Sequence, residues 1–323
     1  MKCYLYLCVL LSVLLSCNSN NNTYFLPNSL GDSFELVVVK SENSFTDDFY
    51  STFIKYLKID IGPAPQQENV LSIIEVNDNK FTGLLRRHKN ILFFIQDKEF
   101  SISIKKNVYA KDQCVIFVTC PSYNVLIEKE QEVKSIVTSI KKVESARWIQ
   151  AFKPTQNKEL AYKLKNIHEI LMPVPKNFFL AYSDSNLTWI RRETNKISQG
   201  ILFANSKNNN LFEVKPANTA IEYMFLNQID NIINTHVEGP VPGSFMETDR
   251  LAPRLLTGPK NNKYTLQSLW RMENDFMGGV YIAEFFSNGL LIYAYVYAPG
   301  EEKRIPLLQL ETIISSIQII ESN

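Results

Sequence analysis

Histidine and cysteine are scarce in this chain of 323 residues, and the motifs built from them are missing. The three histidines, His88, His168 and His236, include no pair at His-x-x-x-His spacing, and no Cys-x-x-Cys occurs. A zinc site made of such ligands is therefore not expected. The Gly-x-Ser-x-Gly elbow, the Walker loop and the Gly-x-Gly-x-x-Gly turn are also absent from the sequence. We predict no catalytic residue, no metal and no cofactor, and the sequence favours a protein that is not an enzyme.

An excess of charge of one sign is missing as well. The chain has 34 Lys and Arg against 33 Asp and Glu, so its formal net charge is +1. The basic residues are scattered rather than grouped into a long block, and nucleic acid is therefore not an expected partner. With 45% hydrophobic and 12% aromatic residues, the composition is typical of a packed globular protein.

The first residues predict export. Lys2 gives a positive start, residues 4–15 are almost wholly apolar, and Ser16-Cys17 is followed by a polar run of asparagine and serine. This order is typical of a secretory signal, and the apolar run is shorter than the roughly 20 residues that span a bilayer. Leu14-Leu15-Ser16-Cys17 resembles the lipobox of bacterial lipoproteins, although Leu15 is bulkier than usual at its position.

The lipobox resemblance implies a signal peptide over residues 1–16, cleavage before Cys17 and acyl chains such as palmitate on that cysteine. Residues 17–23 then form a polar tether. Several acyl chains would anchor the protein firmly in a membrane. Asn18, in place of an aspartate, favours the outer membrane, on either its periplasmic or its surface face. The alternative is a freely secreted protein with a chance cysteine near the cut.

The hydrophobic pattern predicts an α+β fold. Short β-type runs alternate with segments of helical spacing, and Pro154 separates two halves. We predict antiparallel sheets with helices packed on one face, in two similar modules over residues 24–153 and 154–323. Both halves end with a strand, a proline turn at Pro121 or Pro299, and a helix. Cys114 and Cys120 share one predicted strand, where they lie roughly 20 Å apart and should stay as free thiols.

Two pairs of arginines and a row of tyrosines are the candidate binding residues. Arg86 with Arg87 and Arg191 with Arg192 each lie beside apolar residues, and their guanidinium groups could together bind an anion. Ion pairs or a solvated strand face are the structural alternative. Tyr293, Tyr295 and Tyr297 alternate along one strand, so they share a face that could be a platform for a ligand. The interpretation that the sequence favours over a platform is a face half-buried under a helix.

Three carboxylates, Glu273, Asp275 and Glu284, offer an enzymatic alternative. Glycoside cleavage needs two carboxyl groups roughly 5–10 Å apart. Nothing in the sequence fixes the distance between these three, and solvated loop and strand carboxylates are the favoured interpretation. A hydrolase acting on glycan or peptidoglycan therefore remains an alternative hypothesis.

Five stretches resemble a family of uncharacterised Bacteroidetes lipoproteins, a domain-of-unknown-function family of about this length. They are GLLRRHKNIL (83–92), TWIRRETNKISQGILF (188–203), VEGPVPGSFMETD (237–249), LWRMENDFMGGVYIAEF (269–285) and YVYAPGEEKR (295–304). The resemblance implies a cell-envelope lipoprotein and brings no assigned activity or catalytic residue. We therefore predict a lipid-anchored binding or structural module whose partner is an envelope protein, a glycan or a lipid.

Overall fold

The computed structural model describes residues 25–41, 45–205, 218–260 and 262–320. The predicted signal peptide, Cys17 and the polar tether lie outside these residues. Within this part of the chain, no helix is long and apolar enough to cross a membrane.

The N-terminal module contains a five-stranded sheet. Its strands are β1 (Glu35–Lys40), β2 (Ser72–Asn77), β3 (Asn90–Gln96), β4 (Ser101–Lys106) and β5 (Cys114–Cys120), in the order β2-β1-β3-β5-β4. The β1–β2, β1–β3 and β3–β5 pairs are parallel, and only β4 pairs antiparallel with its neighbour. Helix α1 (Asp47–Leu57) connects β1 to β2.

The parallel pairing corrects the prediction of an antiparallel sheet in this module. The central strands β1, β3 and β5 are apolar on both faces, a pattern typical of parallel strands covered on both sides. The exposed strand β4 alternates apolar and polar residues, and it is the antiparallel one. Within this sheet, the strands buried on both faces pair parallel with one another, and the exposed strand pairs antiparallel.

Three helices of this module pack on one face of the sheet. Besides α1 they are α2 (Tyr123–Glu128) and α3 (Glu130–Phe152), which divide at Lys129 the single helix predicted over 124–150. The Thr46 hydroxyl caps α1 by accepting from the Phe49 amide at 3.3 Å. The buried thiols of Cys114 and Cys120 are free, as predicted.

The C-terminal module is built on an eight-stranded antiparallel sheet. Its main path runs β10-β12-β13-β14-β9-β8-β7, and β11 pairs with β12. The α+β class and the two modules are confirmed, but the two sheets differ in strand order and direction, so the modules share only their general composition. The elements are α4 (Lys158–His168), β6 (Ile170–Leu171), β7 (Phe179–Ser183), β8 (Leu187–Glu193), β9 (Ser198–Asn205), α5 (Asn218–His236), β10 (Phe245–Thr248), β11 (Leu255–Lys260), β12 (Lys263–Glu273), β13 (Gly278–Phe286), β14 (Leu290–Tyr297), α6 (Arg304–Ser315) and β15 (Gln318–Ile319).

Helices cover both faces of this second sheet, whereas one covered face was predicted. Helix α5 packs on the face that carries Trp270, Tyr281 and Tyr293, and Phe225 of α5 stacks on Phe285 with ring centroids 3.7 Å apart. Helix α6 packs on the opposite face, in a core that continues into the helices of the N-terminal module. Strands such as β13 and β14 are accordingly buried along nearly their whole length.

The two modules therefore share one hydrophobic core, and polar contacts also join them. The Gln267 amide donates to the Ile61 carbonyl at 2.9 Å, and Lys141 pairs with Glu311 at 2.7 Å. The carboxylate of Glu68 accepts from the backbone amides that begin α6. We expect the modules to unfold together because neither buries this core alone.

Candidate ligand-binding pocket

A pocket of about 440 Å³ opens on the α5 face of the C-terminal sheet. Helix α5 ends at His236, and the four residues after it, 237–240, line the pocket. The other lining residues come from β8, β9, β10, β12 and β14, with Met277 just before β13. Its volume lies within the range of small-molecule sites, roughly 300–1,000 Å³.

The floor of the pocket is aromatic and sulfur-rich. The side chains of Trp189, Trp270 and Tyr295 are buried there, beside Met246 and Met272. Aromatic rings supply a large rigid contact area, and the unbranched methionines adapt to the shape of what they contact. This floor suits the apolar part of a ligand.

Two glycines allow the aromatic floor to pack this closely. Gly200 of β9 faces the ring of Tyr295, and a Cβ at residue 200 would lie 2.2 Å from Tyr295 Cε1. Gly279 makes room for Trp270, whose indole N–H donates to the Val296 carbonyl at 3.2 Å. Any larger residue at either position would displace a floor ring or the backbone beside it.

The mouth of the pocket carries charge. Arg191 stacks over Trp189, with its guanidinium carbon 5.1 Å from the ring centroid, and it forms an ion pair with Glu193. Its Nε is buried without a hydrogen-bond partner. Glu238, whose side chain is exposed, also lines the pocket. The site therefore has an apolar floor and a mouth with one positive and two negative side chains.

The tyrosines of the floor stay protonated at ordinary pH. Burial raises the pKa of Tyr295 to about 12, and the nearby Arg191 opposes this rise. Burial also raises the pKa of Tyr293 well above its ordinary value. These hydroxyls can therefore donate or accept hydrogen bonds but do not act as bases.

The predicted tyrosine row does share one face, but that face is not an open platform. Tyr293 and Tyr295 are buried beneath the α5 side of the module, and only Tyr297 is partly exposed. Tyr295 and Tyr297 line the pocket, whereas Tyr293 lies deeper, with its ring 5.0 Å from that of Tyr281. The prediction of an open tyrosine platform is therefore wrong, and Tyr295 and Tyr297 instead form part of a pocket wall.

The four predicted arginines contact separate groups. Arg86 donates to the Phe81 carbonyl and Arg87 to the Asn28 carbonyl, both in the N-terminal module. Arg191 lines the pocket, while Arg192, its neighbour on β8, reaches the opposite face. There Arg192 donates to Gln199 and Gln309 at 2.9 Å each, and burial lowers its pKa. Of the four arginines, only Arg191 thus belongs to this site.

Glu284 is remote from the other two predicted carboxylates, Glu273 and Asp275. Glu284 lies six residues along β13 from Gly278, where the strand begins, which is a separation of about 20 Å from the turn that holds Asp275. It is buried and paired with Lys263 at 2.6 Å, and burial raises its pKa. Glu273 pairs with Arg271 at 3.2 Å, and none of the three lines the pocket. Glu284 is therefore too distant from either carboxylate for glycoside chemistry.

Sequence reasoning missed most of the pocket. Trp189, Trp270 and the three methionines, Met246, Met272 and Met277, were not singled out, because they come from strands far apart in the chain. The alternation Trp189-x-Arg191-x-Glu193 does place those three on one face of β8. Every residue lining the pocket also falls within four of the five stretches that carry the family resemblance, namely 188–203, 237–249, 269–285 and 295–304. That shared location is the signal that could have found the site.

No group of three or more histidine, cysteine or acidic residues suited to a metal ion occurs in the described part of the chain. His168 is buried, and its two ring nitrogens contact Asn205 and Thr188 at 3.0 and 2.9 Å. Burial lowers the pKa of His168, so this ring is neutral and serves as a structural link.

Comparison with known proteins gives limited information about this site. No curated protein sequence matches the chain. Among solved structures, human StAR-related lipid transfer protein 5 aligns over 53% of this chain and 93% of its own, with 7% identity and a TM-score of 0.20. A TM-score this low supports no inference about fold or function. Two family models match, one over residues 29–153 and one over residues 156–316. The chain thus contains two domains of unknown function, DUF8532 in its N-terminal half and DUF4837 in its C-terminal half.

Proposed function

We propose that this protein is a lipid-anchored module of the cell envelope that binds a small amphipathic ligand without chemically changing it. The observation that carries the proposal is the pocket, whose buried aromatic and methionine floor lies below a charged mouth. Pockets of this kind suit ligands with an apolar ring or chain at one end and a polar group at the other. Envelope glycolipids, lipids and apolar peptide ends all have this character.

The charged residues at the mouth support a ligand whose polar end can interact with both positive and negative side chains. Arg191 and Glu193 form an ion pair at the mouth, and Glu238 adds a second carboxylate to the lining. Phe276, which precedes the lining residue Met277 in the chain, is fully exposed. Its ring is therefore available to contact the apolar end of a ligand.

Binding can be tested with anilinonaphthalene sulfonate, an amphipathic probe with aromatic rings and one anionic group. We expect saturable binding at one molecule per chain, with quenching of tryptophan fluorescence because Trp189 and Trp270 form the floor. Ser198→Phe fills the pocket and should abolish the saturable phase. Ser103→Phe, on the exposed strand β4, is the matched control and should leave it intact. Equal binding by both variants would place the probe elsewhere and contradict the proposed site.

The anchor is proposed from the lipobox resemblance at Leu14-Leu15-Ser16-Cys17, and Asn18 favours the outer membrane. Labelled fatty acid fed to the native host should enter the wild-type protein and not the Cys17→Ala variant. Absence of label from both proteins would indicate a freely secreted protein, whatever the pocket binds.

A further inference from the structure

Basic residues gather at one edge of the N-terminal sheet, where β1, β3 and β5 begin. Backbone contacts hold this edge together: the Gln113 amide donates to the carbonyls of Arg86 and His88 at 2.7 Å each, and Arg147 donates to the carbonyls of Lys89 and Asp112. We name this edge the basic corner, defined by Arg86, Arg87, Lys89, Lys106, Lys111, Lys142 and Arg147. It stands out because the whole chain carries a net charge of only +1.

A cavity of about 370 Å³ lies in the basic corner, between the β4–β5 connection and α3. Lys106 enters it from the end of β4 and Lys142 from α3, with Cys114 and Arg147 in its wall. Within the described residues, neither Lys106 nor Lys142 forms an ion pair. Two exposed lysines from different elements thus line the same cavity without an ion-pair partner, which favours an anionic ligand.

The acidic residues of the corner are mostly occupied by structural contacts. Glu144 is fully buried, where it accepts from Asn90 at 2.7 Å and from Arg147 at 2.6 Å. Glu35 pairs with His88 at 3.1 Å. Asp112 is the one acidic residue in the cavity lining, so the two lysines leave an excess of positive charge there.

The basic corner is also where the described chain begins. The Lys111 ammonium lies 4.0 Å from the ring centroid of Phe25, its amide donates to the Pro27 carbonyl at 2.8 Å, and Arg87 donates to the Asn28 carbonyl. Phe25 lies eight positions after Cys17, a span of at most about 29 Å when fully extended. An anchor on Cys17 would therefore keep the basic corner close to the membrane surface.

We propose that the basic corner binds the phosphate groups of anionic lipid headgroups on the membrane that holds the anchor. This inference rests on the proposed lipid anchor, and it concerns a surface distinct from the aromatic pocket. Clusters of Lys and Arg close to an anionic bilayer are attracted to it. The cavity between Lys106 and Lys142 would accept one headgroup phosphate, and the remaining basic residues would contact the surrounding surface charge.

The test uses the chain from residue 18, which carries no lipid and keeps every described core residue. Its sedimentation with phosphatidylcholine vesicles is compared with its sedimentation with vesicles containing one-third phosphatidylglycerol. We expect binding only to the anionic vesicles, with its loss at high salt because the attraction is screened. The double variant Lys106→Gln with Lys142→Gln should weaken binding by about fivefold for each lysine.

The matched control is Lys158→Gln with Lys176→Gln, which removes two exposed lysines from the C-terminal module. It should change vesicle binding by less than about twofold. An equal loss in both double variants, or equal binding to neutral and anionic vesicles, would overturn the proposal. If the chain binds inorganic phosphate but shows no preference for anionic vesicles, the site binds free phosphate and the proposal of a lipid headgroup is wrong. Because the chain tested carries no lipid, these outcomes do not depend on the fatty-acid label or on the aromatic pocket.

Discussion

The ring of Tyr295 lies against the backbone of Gly200 on the neighbouring strand, so closely that a Cβ at residue 200 would fall 2.2 Å from Cε1 of the ring. The two residues are paired in register between β14 and β9. The contact sets the depth of the aromatic floor, because the ring can lie flat only where its neighbour has no side chain. The pocket therefore depends on a glycine that does not itself line it.

Gly200→Ala should push Tyr295 out of its place and destabilise the protein by about 1–3 kcal/mol, the usual cost of overpacking. Urea unfolding measures this change. In a Tyr295→Ala background the same substitution should cost much less, because the clash is gone. Equal costs in both backgrounds would mean that the glycine is needed for another reason.

The buried hydroxyl of Tyr295 predicts a loss of stability in alkali. Its pKa is raised by burial to about 12, from 10 for an exposed tyrosine, so the unfolded chain loses this proton first. The stability that this group contributes is complete below about pH 10 and is lost as the pH rises toward 12. Tyr295→Phe should show a shallower decline than wild type over that interval. Unfolding free energies measured at stepped pH test the difference, and parallel curves would contradict it.

The buried pair of Lys263 and Glu284 predicts a large effect from removing one partner. Lys263→Met leaves the Glu284 carboxylate buried without its 2.6 Å partner, and breaking such a pair typically costs about 3–5 kcal/mol. Because burial already raises the pKa of Glu284, the variant should regain stability as the pH falls and the carboxylate takes up a proton.

Adding Glu284→Gln to Lys263→Met should restore much of the loss near neutral pH, since no buried charge remains. Thermal unfolding of the single and double variants checks this expectation. If the two variants are equally unstable at every pH, the cost comes from packing rather than from charge.

The Glu68 carboxylate links the modules by accepting from the amides of Lys303 and Arg304 at 2.9 and 2.8 Å, at the start of α6. Glu68→Ala should cost about 1–2 kcal/mol, as loss of a helix cap does. Glu75→Ala removes a surface carboxylate paired with Lys40 and should cost less than about 1 kcal/mol. Both variants should still unfold in one transition, because one core spans the modules. Two separated calorimetric peaks would show that the modules fold independently.

The sequence predicted the class of the fold well because the period of the apolar residues depends on local structure. Runs such as residues 34–39 and 113–119 became strands, and helical spacing correctly marked α1 and α3. Whether neighbouring strands pair parallel or antiparallel was harder to predict from the sequence. Strands β1, β3 and β5 are apolar on both faces, but their parallel order depends on how the connections return the chain to the sheet, as α1 does between β1 and β2, and no single run encodes this.

The pocket was only partly predictable for a related reason. Alternation correctly put Tyr293, Tyr295 and Tyr297 on one face, yet their burial depends on α5 and on Gly200, which are distant in sequence. The same alternation separates Arg191 from Arg192, and it could have excluded a shared anion site from the start. The lining brings together four segments whose proximity depends on the register of β8, β9, β14, β13 and β12.

The most direct test of the proposed binding function is native mass spectrometry of the protein released gently from its own envelope. We predict that wild type and Ser103→Phe carry a non-covalent small molecule at one per chain, and that Ser198→Phe does not. Lipid on Cys17 would add the same covalent mass to all three and would not be confused with it. If wild type carries no non-covalent mass beyond that expected from its sequence, or if Ser198→Phe carries the same non-covalent mass as wild type, the result would contradict a pocket that holds an envelope ligand.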